Sequence, residues 1–150
     1  MAGVNIVRVA YSGAGGAVNG ILGGEVQLVF LSPGTILPHV KSGKLRALAV
    51  TTSEPTALAP GLPTVAAAGL PGFETVSATT MWAPARTPTS IINQLNRETV
   101  RILNRADIKT KMLSNGAEVV GNSPAQAAAM IKSKLAKWGK LINDAGIRGE

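Results

Sequence analysis

The sequence predicts an α/β fold in which a parallel sheet is covered by helices, on three observations. Short apolar runs rich in β-branched residues recur at 5–10, 26–31 and 45–51, the pattern of strands buried on both faces. Helical patterns bounded by glycine and proline lie between them. The resulting alternation of strand and helix brings parallel strands side by side with their crossovers on the sheet faces. A chain of 150 residues is long enough to bury the core of one ordinary domain, and equally allows a piece of something larger.

The elements follow in order. Residues 5–10, NIVRVA, form the first strand. Ala17, Val18, Ile21 and Leu22 share one face of a helix over 14–22, which Gly23 and Gly24 stop. VQLVFL at 26–31 is the second strand, and a turn at Ser32, Pro33 and Gly34 feeds a short helix ended by Gly43. LRALAVT at 45–51 is the third strand. Pro55, Pro60, Pro63 and Pro71 then punctuate a loop-rich stretch with a short helix over 64–68, and FETVSATTMW at 73–82 resumes a strand that ends before Pro84. Beyond it the chain is mostly helical. Thr87 is the expected cap of a helix with Pro88 at its first position and Ile91, Leu95 and Ile102, beside Ile92 and Leu103, as its apolar stripe. Asp107 caps a short helix to Leu113 that Asn115 and Gly116 close, and 117–120 is a short strand. Ser123 and Pro124 open the last helix, whose buried side carries Ala127, Ile131, Leu135 or Lys134, Trp138, Leu141 and Ile142, with Gly146 as its stop. The change of character near Pro84 divides the chain into residues 1–82 and 83–150.

Composition removes several classes of function. Without cysteine there is no disulfide, thiolate metal site or cysteine nucleophile. The net charge is +7, yet eleven of the fifteen Lys and Arg residues lie from Arg86 onward, spaced singly as on solvated helix faces, and five scattered aromatics offer no stacking platform; no nucleic-acid partner is expected. Lys41, Lys44 and Arg46 read as solvated ends of elements. His39 is the only histidine, and no acidic pair has the spacing of a metal loop, so neither a metal site nor a catalytic constellation is nominated. No stretch is long enough to cross a bilayer, and the opening residues lack a signal peptide; an exported protein would carry its signal outside this sequence.

One stretch invites a nucleotide reading. YSGAGG at 11–16 follows a strand and opens a helix, but it lacks the lysine and closing hydroxyl of a P-loop. Gly13 and Gly15 fit the first two glycines of a dinucleotide fingerprint, whereas Val18 occupies the third, so no cofactor is expected. What remains is a helix start with exposed N–H groups and a positive dipole end, suited to a carboxylate or to plain packing.

Taken together, VAYSGAGGAVNGILGGEVQLVF, ILPHVKSGKLRALAVTT, LAPGLPTVAAAGLPGFE, WAPARTP, LNRETVRILN and AKWGKLINDAGI resemble the C-terminal half of the Bug-type substrate-binding proteins of tripartite tricarboxylate transporters, over residues 4 to 147. The resemblance implies a type II periplasmic-binding fold of two α/β lobes, here incomplete. Residues 1–82 would belong to the second lobe, and 83–150 to the crossover and helices returning to the first. It implies a periplasmic, non-enzymatic receptor that takes small carboxylates, di- or tricarboxylates or amino-acid-like compounds, and hands them to a membrane permease. The chain departs from the family pattern at Ala10, Ser12, Gln27, Leu31 and Ser32, which shifts weight from side-chain charge to backbone recognition.

Ligand contact is expected on Tyr11, Ser12 and Gly13 and on Ser32, Gly34 and Thr35, at the carboxyl ends of two strands where open α/β sheets bind ligands. Plain packing of Tyr11 and capping of a helix by 32–35 is the competing reading. Trp82 is expected to pack at the crossover. An effector-binding module of a transcription regulator is the alternative function, and a small enzyme for anionic substrates is disfavoured by the missing catalytic groups. Because half of a cleft would be absent, apolar faces left exposed predict self-association or strand exchange between copies.

Overall fold

The computed structural model describes residues 3–147. Five helices are present among them: α1 (Ala14–Leu22), α2 (Pro33–Lys41), α3 (Thr89–Leu103), α4 (Ala106–Ser114) and α5 (Pro124–Asp144). The chain divides into two units. The first is the chain up to Ala78 with Thr110–Glu118; the second is Thr79–Lys109 with the chain from Val119 on.

Helix limits follow local chemistry. α1 matches its expected limits, and Gly23 and Gly24 end it in a Schellman motif, with Gly24 N–H donating to the Ile21 carbonyl (3.2 Å) and Glu25 N–H to that of Gly20 (2.9 Å). The same pairing of bonds ends α2 at Gly43, α4 at Gly116 and α5 at Gly146. Ser123 opens α5 with a full capping box: its Oγ accepts from Gln126 N–H (3.3 Å), and its own N–H donates to Gln126 Oε1 (2.9 Å).

Several expectations shift. α2 begins at Pro33, so Ser32 is its N-cap and the expected turn is the first turn of the helix. α3 starts one residue later than predicted, with Pro88 and not Thr87 at the cap. Asp107 lies inside α4, where Arg105 Nε and Nη2 donate to its two carboxylate oxygens at 3.1 and 2.8 Å. The stretch 64–68 makes a single turn, because Thr64 Oγ1 takes the Ala67 N–H (3.0 Å) and its carbonyl the Ala68 N–H (3.0 Å) before Gly69 leaves the helical region.

The expected strands are the largest difference. None of the runs at 5–10, 26–31, 45–51, 73–82 and 117–120 forms a ladder: among the described residues the only bridge is the parallel one between Val50 and Thr64, and Gln27 and Leu45 lie in bends. Val50 N–H donates to the Pro63 carbonyl and Val65 N–H to that of Val50, both at 2.9 Å, and Thr75 N–H reaches Thr51 (2.9 Å). β-branched density favours an extended backbone, but a ladder also needs neighbours that satisfy both edges. The segments at 4–9 and 26–31 have none among the described residues.

Burial is correspondingly thin. In the first unit Val18 and Gly20 of α1, and Ala59 and Thr64 of the loop-rich stretch that follows residue 52, are buried. Thr56 ties that loop to the segment after α4 by donating from Oγ1 to Glu118 Oε1 (2.6 Å). In the second unit α3 meets α5, and Asn96 Nδ2 donates to the Asn122 carbonyl (2.9 Å). The predicted buried side of α5 is not buried: Leu135 is 69% exposed. Trp82, expected to pack at the crossover, is 72% exposed.

Candidate functional site

The first candidate loop is built around the start of α1. Gly13 is its N-cap at φ 86°, ψ 177°, a conformation open essentially to glycine alone, and its N–H turns back to the Tyr11 carbonyl (2.9 Å). No side chain caps this end and no acid lies in its first turn, so the first N–H groups of α1 keep their donor capacity and their positive dipole end is unneutralised. Ser12 is exposed beside them.

Tyr11 does something different from what its position suggests. Its ring lies along α1 over Gly16 and Gly20. A Cβ at Gly16 would touch the Tyr11 Cβ at 3.4 Å, and one at Gly20 would overlap the phenol oxygen and lie 2.5 Å from Cζ. Gly20 is six residues into the helix, so the hydroxyl sits about 9 Å along the axis from the helix start. There it donates to Glu25 Oε2 (3.0 Å). Glu25 is in place because the Schellman motif returns its N–H to Gly20. The two glycines four residues apart are the sequence signal for this clasp, since together they leave a bare strip on which a ring can lie.

The clasp raises the Tyr11 pKa above the ordinary 10.0, chiefly by desolvation against the helix and further by the hydrogen bond to Glu25 and its negative charge. A phenol held protonated more tightly when folded contributes stability that is complete below pH 10.0 and disappears as pH rises through the folded value. Tyr11 is the only tyrosine, so phenolate absorbance reads it directly. The titration midpoint is expected above 10.0 in the folded chain, and Glu25→Gln should bring it only part of the way down, because desolvation, the larger cause, remains. A midpoint unaffected by that substitution would mean that the Glu25 contact is not formed.

The second loop sits at the start of α2. Ser32 and Thr35 share a hydrogen bond between their hydroxyls (3.0 Å), and the Ser32 carbonyl accepts the Thr35 and Ile36 N–H groups at 3.0 and 3.3 Å. Gly34 backs onto the end of α4: a Cβ there would overlap the Asn115 carbonyl oxygen and lie 3.1 Å from its carbon. Asn115 and Gly116 had no assigned part at the sequence level beyond closing α4. Each loop is thus fixed by its own local partners, Gly20 and Glu25 for the first and Asn115 and Gly116 for the second.

Charge along this part of the chain is mostly positive. Up to Ser53 the only acid is Glu25, already engaged by Tyr11, against Arg8, Lys41, Lys44 and Arg46. Among the described residues no three acidic or histidine side chains gather in a way that could hold a metal ion, and no helix is long and apolar enough to cross a membrane.

The chain is similar to known proteins along nearly its whole length. A UPF0065 protein of Bordetella bronchiseptica is 34% identical over 147 residues, 98% of this chain and 44% of that protein. Among solved structures, the R. palustris protein Rpa4515 with adipate is 35% identical with a TM-score of 0.86, covering 97% of this chain and 49% of its own. The periplasmic binding protein BugD is 30% identical with a TM-score of 0.77, over 99% of this chain and 50% of its own. MatC of Rhodopseudomonas palustris with bound malate is 29% identical with a TM-score of 0.75, over 93% and 48%. The chain therefore spans about half the length of these relatives, and its α/β fold is that of the Bug-type binding proteins. The model of the tripartite tricarboxylate transporter family receptor matches residues 1–147, and the chain belongs to that family of solute-binding receptors, which are not enzymes.

Proposed function

We propose that this chain supplies part of the binding cleft of an extracytoplasmic receptor for dicarboxylates, which delivers its ligand to the membrane permease of a tripartite transporter. The observation that carries the reading is the likeness, at a TM-score of 0.86 over 97% of the chain, to a relative solved with adipate. Malate in a second relative widens the class to short dicarboxylates. In this reading residues 1–82 belong to one lobe and 83–150 to the crossover and the other.

The first N–H groups of α1 bind one carboxylate, with the Ser12 hydroxyl beside them. Gly13 sets the angle of that turn. Tyr11 shapes the loop through its ring and its carbonyl, since its hydroxyl donor is committed to Glu25. Ser32, Gly34 and Thr35 contact the ligand at the start of α2. Recognition by backbone and hydroxyls suits a site whose loops carry no lysine or arginine.

Titration calorimetry of the chain with adipate, malate, citrate and glutamate tests this. Adipate or malate should bind more tightly than glutamate, and the diamide of adipate should not bind. A flat response to all four acids, or preference for glutamate, would reject the dicarboxylate reading. The backbone at 4–9 and 26–31, without ladder partners among the described residues, is also expected to pair between copies, and light scattering that holds the monomer mass as concentration rises would exclude that.

A further inference from the structure

Taken alone, α1 is a poor helix. It is nine residues long, and three of those are glycine: Gly15, Gly16 and Gly20. Glycine is the weakest helix former after proline, and a helix this short is marginal in water even when built from good formers. No side chain caps its start, no acid lies in its first turn and no base in its last. The first charged residue beyond it is Glu25, whose sign the negative end of a helix disfavours.

One side chain spans this helix from end to end. Tyr11 stands two residues before the N-cap Gly13, and Glu25 two residues after the C-cap Gly23. The Tyr11 ring covers Gly16 and Gly20, and its hydroxyl donates to Glu25 Oε2 at 3.0 Å. Among the described residues no lysine or arginine pairs with Glu25, so the phenol is the donor its carboxylate meets. The features that weaken α1 by itself are thus the ones this contact uses: Gly16 and Gly20 leave room for the ring, and the misplaced acid is its acceptor. The effect reaches the helix start, because the Tyr11 carbonyl accepts the Gly13 N–H (2.9 Å) in the turn that opens α1.

We infer that Tyr11 and Glu25 form a brace across α1, with Gly16 and Gly20 as the bare track for its ring, and that Gly20 and Glu25 are thereby positioning residues for a carboxylate bound at the start of the helix, which neither touches. The positioning role rests on the dicarboxylate reading; the brace does not.

Amide hydrogen exchange in the free 150-residue chain, read residue by residue, tests the brace. Gly20→Ala should speed exchange at Val18 and Ile21 by roughly tenfold, since its Cβ evicts the ring, while the amides of α3 keep their rates. The sign is decisive, because alanine for glycine inside a helix ordinarily strengthens it. Asn19→Ala, at an exposed position of the same turn, should not speed exchange. Tyr11→Phe and Glu25→Ala should each speed it about threefold, and the double variant no more than either, since both remove one hydrogen bond. Glu25→Gln keeps an oxygen acceptor and should restore most of the protection. Calorimetric affinity for adipate should fall in the same order. Slower exchange in Gly20→Ala overturns the brace, as do unchanged rates in Tyr11→Phe and Glu25→Ala; Tyr11→Phe, which removes a single oxygen, decides the matter should Gly20→Ala fail to fold. Faster exchange with undiminished adipate affinity overturns the positioning role. A wild-type chain that binds no diacid rejects the dicarboxylate reading and the positioning role with it, while the exchange rates still decide the brace.

Discussion

Gly116→Ala should destabilise the first unit by about 3 kcal/mol, enough to abolish a cooperative unfolding transition in a unit with so small a core. Two costs combine. Gly116 sits at φ 77°, the left-handed position that follows α4, where a side chain costs about 1–2 kcal/mol. A Cβ there would also overlap the Gly34 N and Cα atoms and lie 2.9 Å from the Pro33 carbonyl carbon. All of these are backbone atoms at the start of α2, which cannot rotate away as a side-chain tip can, and forcing them apart costs a further 1–3 kcal/mol or so. Gly43→Ala is the matched control. Gly43 occupies the same position of the same motif at φ 73°, with nothing within 4 Å of its added Cβ. Denaturant midpoints should therefore fall slightly for Gly43→Ala and much further for Gly116→Ala. Equal losses would show that the contact between α2 and the end of α4 contributes nothing.

Gly13→Ala should weaken dicarboxylate binding at least tenfold. The added Cβ meets nothing within 4 Å, so the effect is conformational only. At φ 86°, ψ 177° alanine carries roughly 1–3 kcal/mol of strain, and the turn relieves it by changing its path. A new path shifts Ser12 relative to the first N–H groups of α1 and breaks the bond from Gly13 N–H to the Tyr11 carbonyl. Gly61→Ala separates this from general destabilisation, because Gly61 also has a positive φ (84°) and open space around it but lies in neither loop. Calorimetric affinity should be retained in Gly61→Ala and lost in Gly13→Ala. The same affinity in both variants would remove the start of α1 from the site.

The candidate site was legible in part. The glycine-rich turn and the hydroxyls of Ser32 and Thr35 mark two helix starts that lack acidic or charged capping groups, and that follows from residue types and spacing. The use made of Tyr11 was not legible. Its partner Glu25 is fourteen residues away and arrives only because a Schellman motif folds the chain back over Gly20. Gly34 shows the same limit: nothing in its local sequence says that Asn115 and Gly116 will press against it.

By itself the sequence located the five helices and most of their ends, because N–H satisfaction by Ser123 and Gln126, proline at a first turn, and glycine after a last turn are decided within a few residues. It also marked the runs at 5–10 and 26–31 as candidate strands, since β-branched side chains restrict the backbone locally. The tertiary structure alone decided whether those runs become strands and whether the stripe of α5 becomes core. A ladder and a buried face each require a surface from elsewhere in the chain or beyond it, and the hydrophobic effect acts on whatever surface is there. Leu135 is as apolar as any core residue, yet it is 69% exposed. Its spacing fixes the face of α5 on which it lies, and only a packed neighbour could have turned that face into an interior.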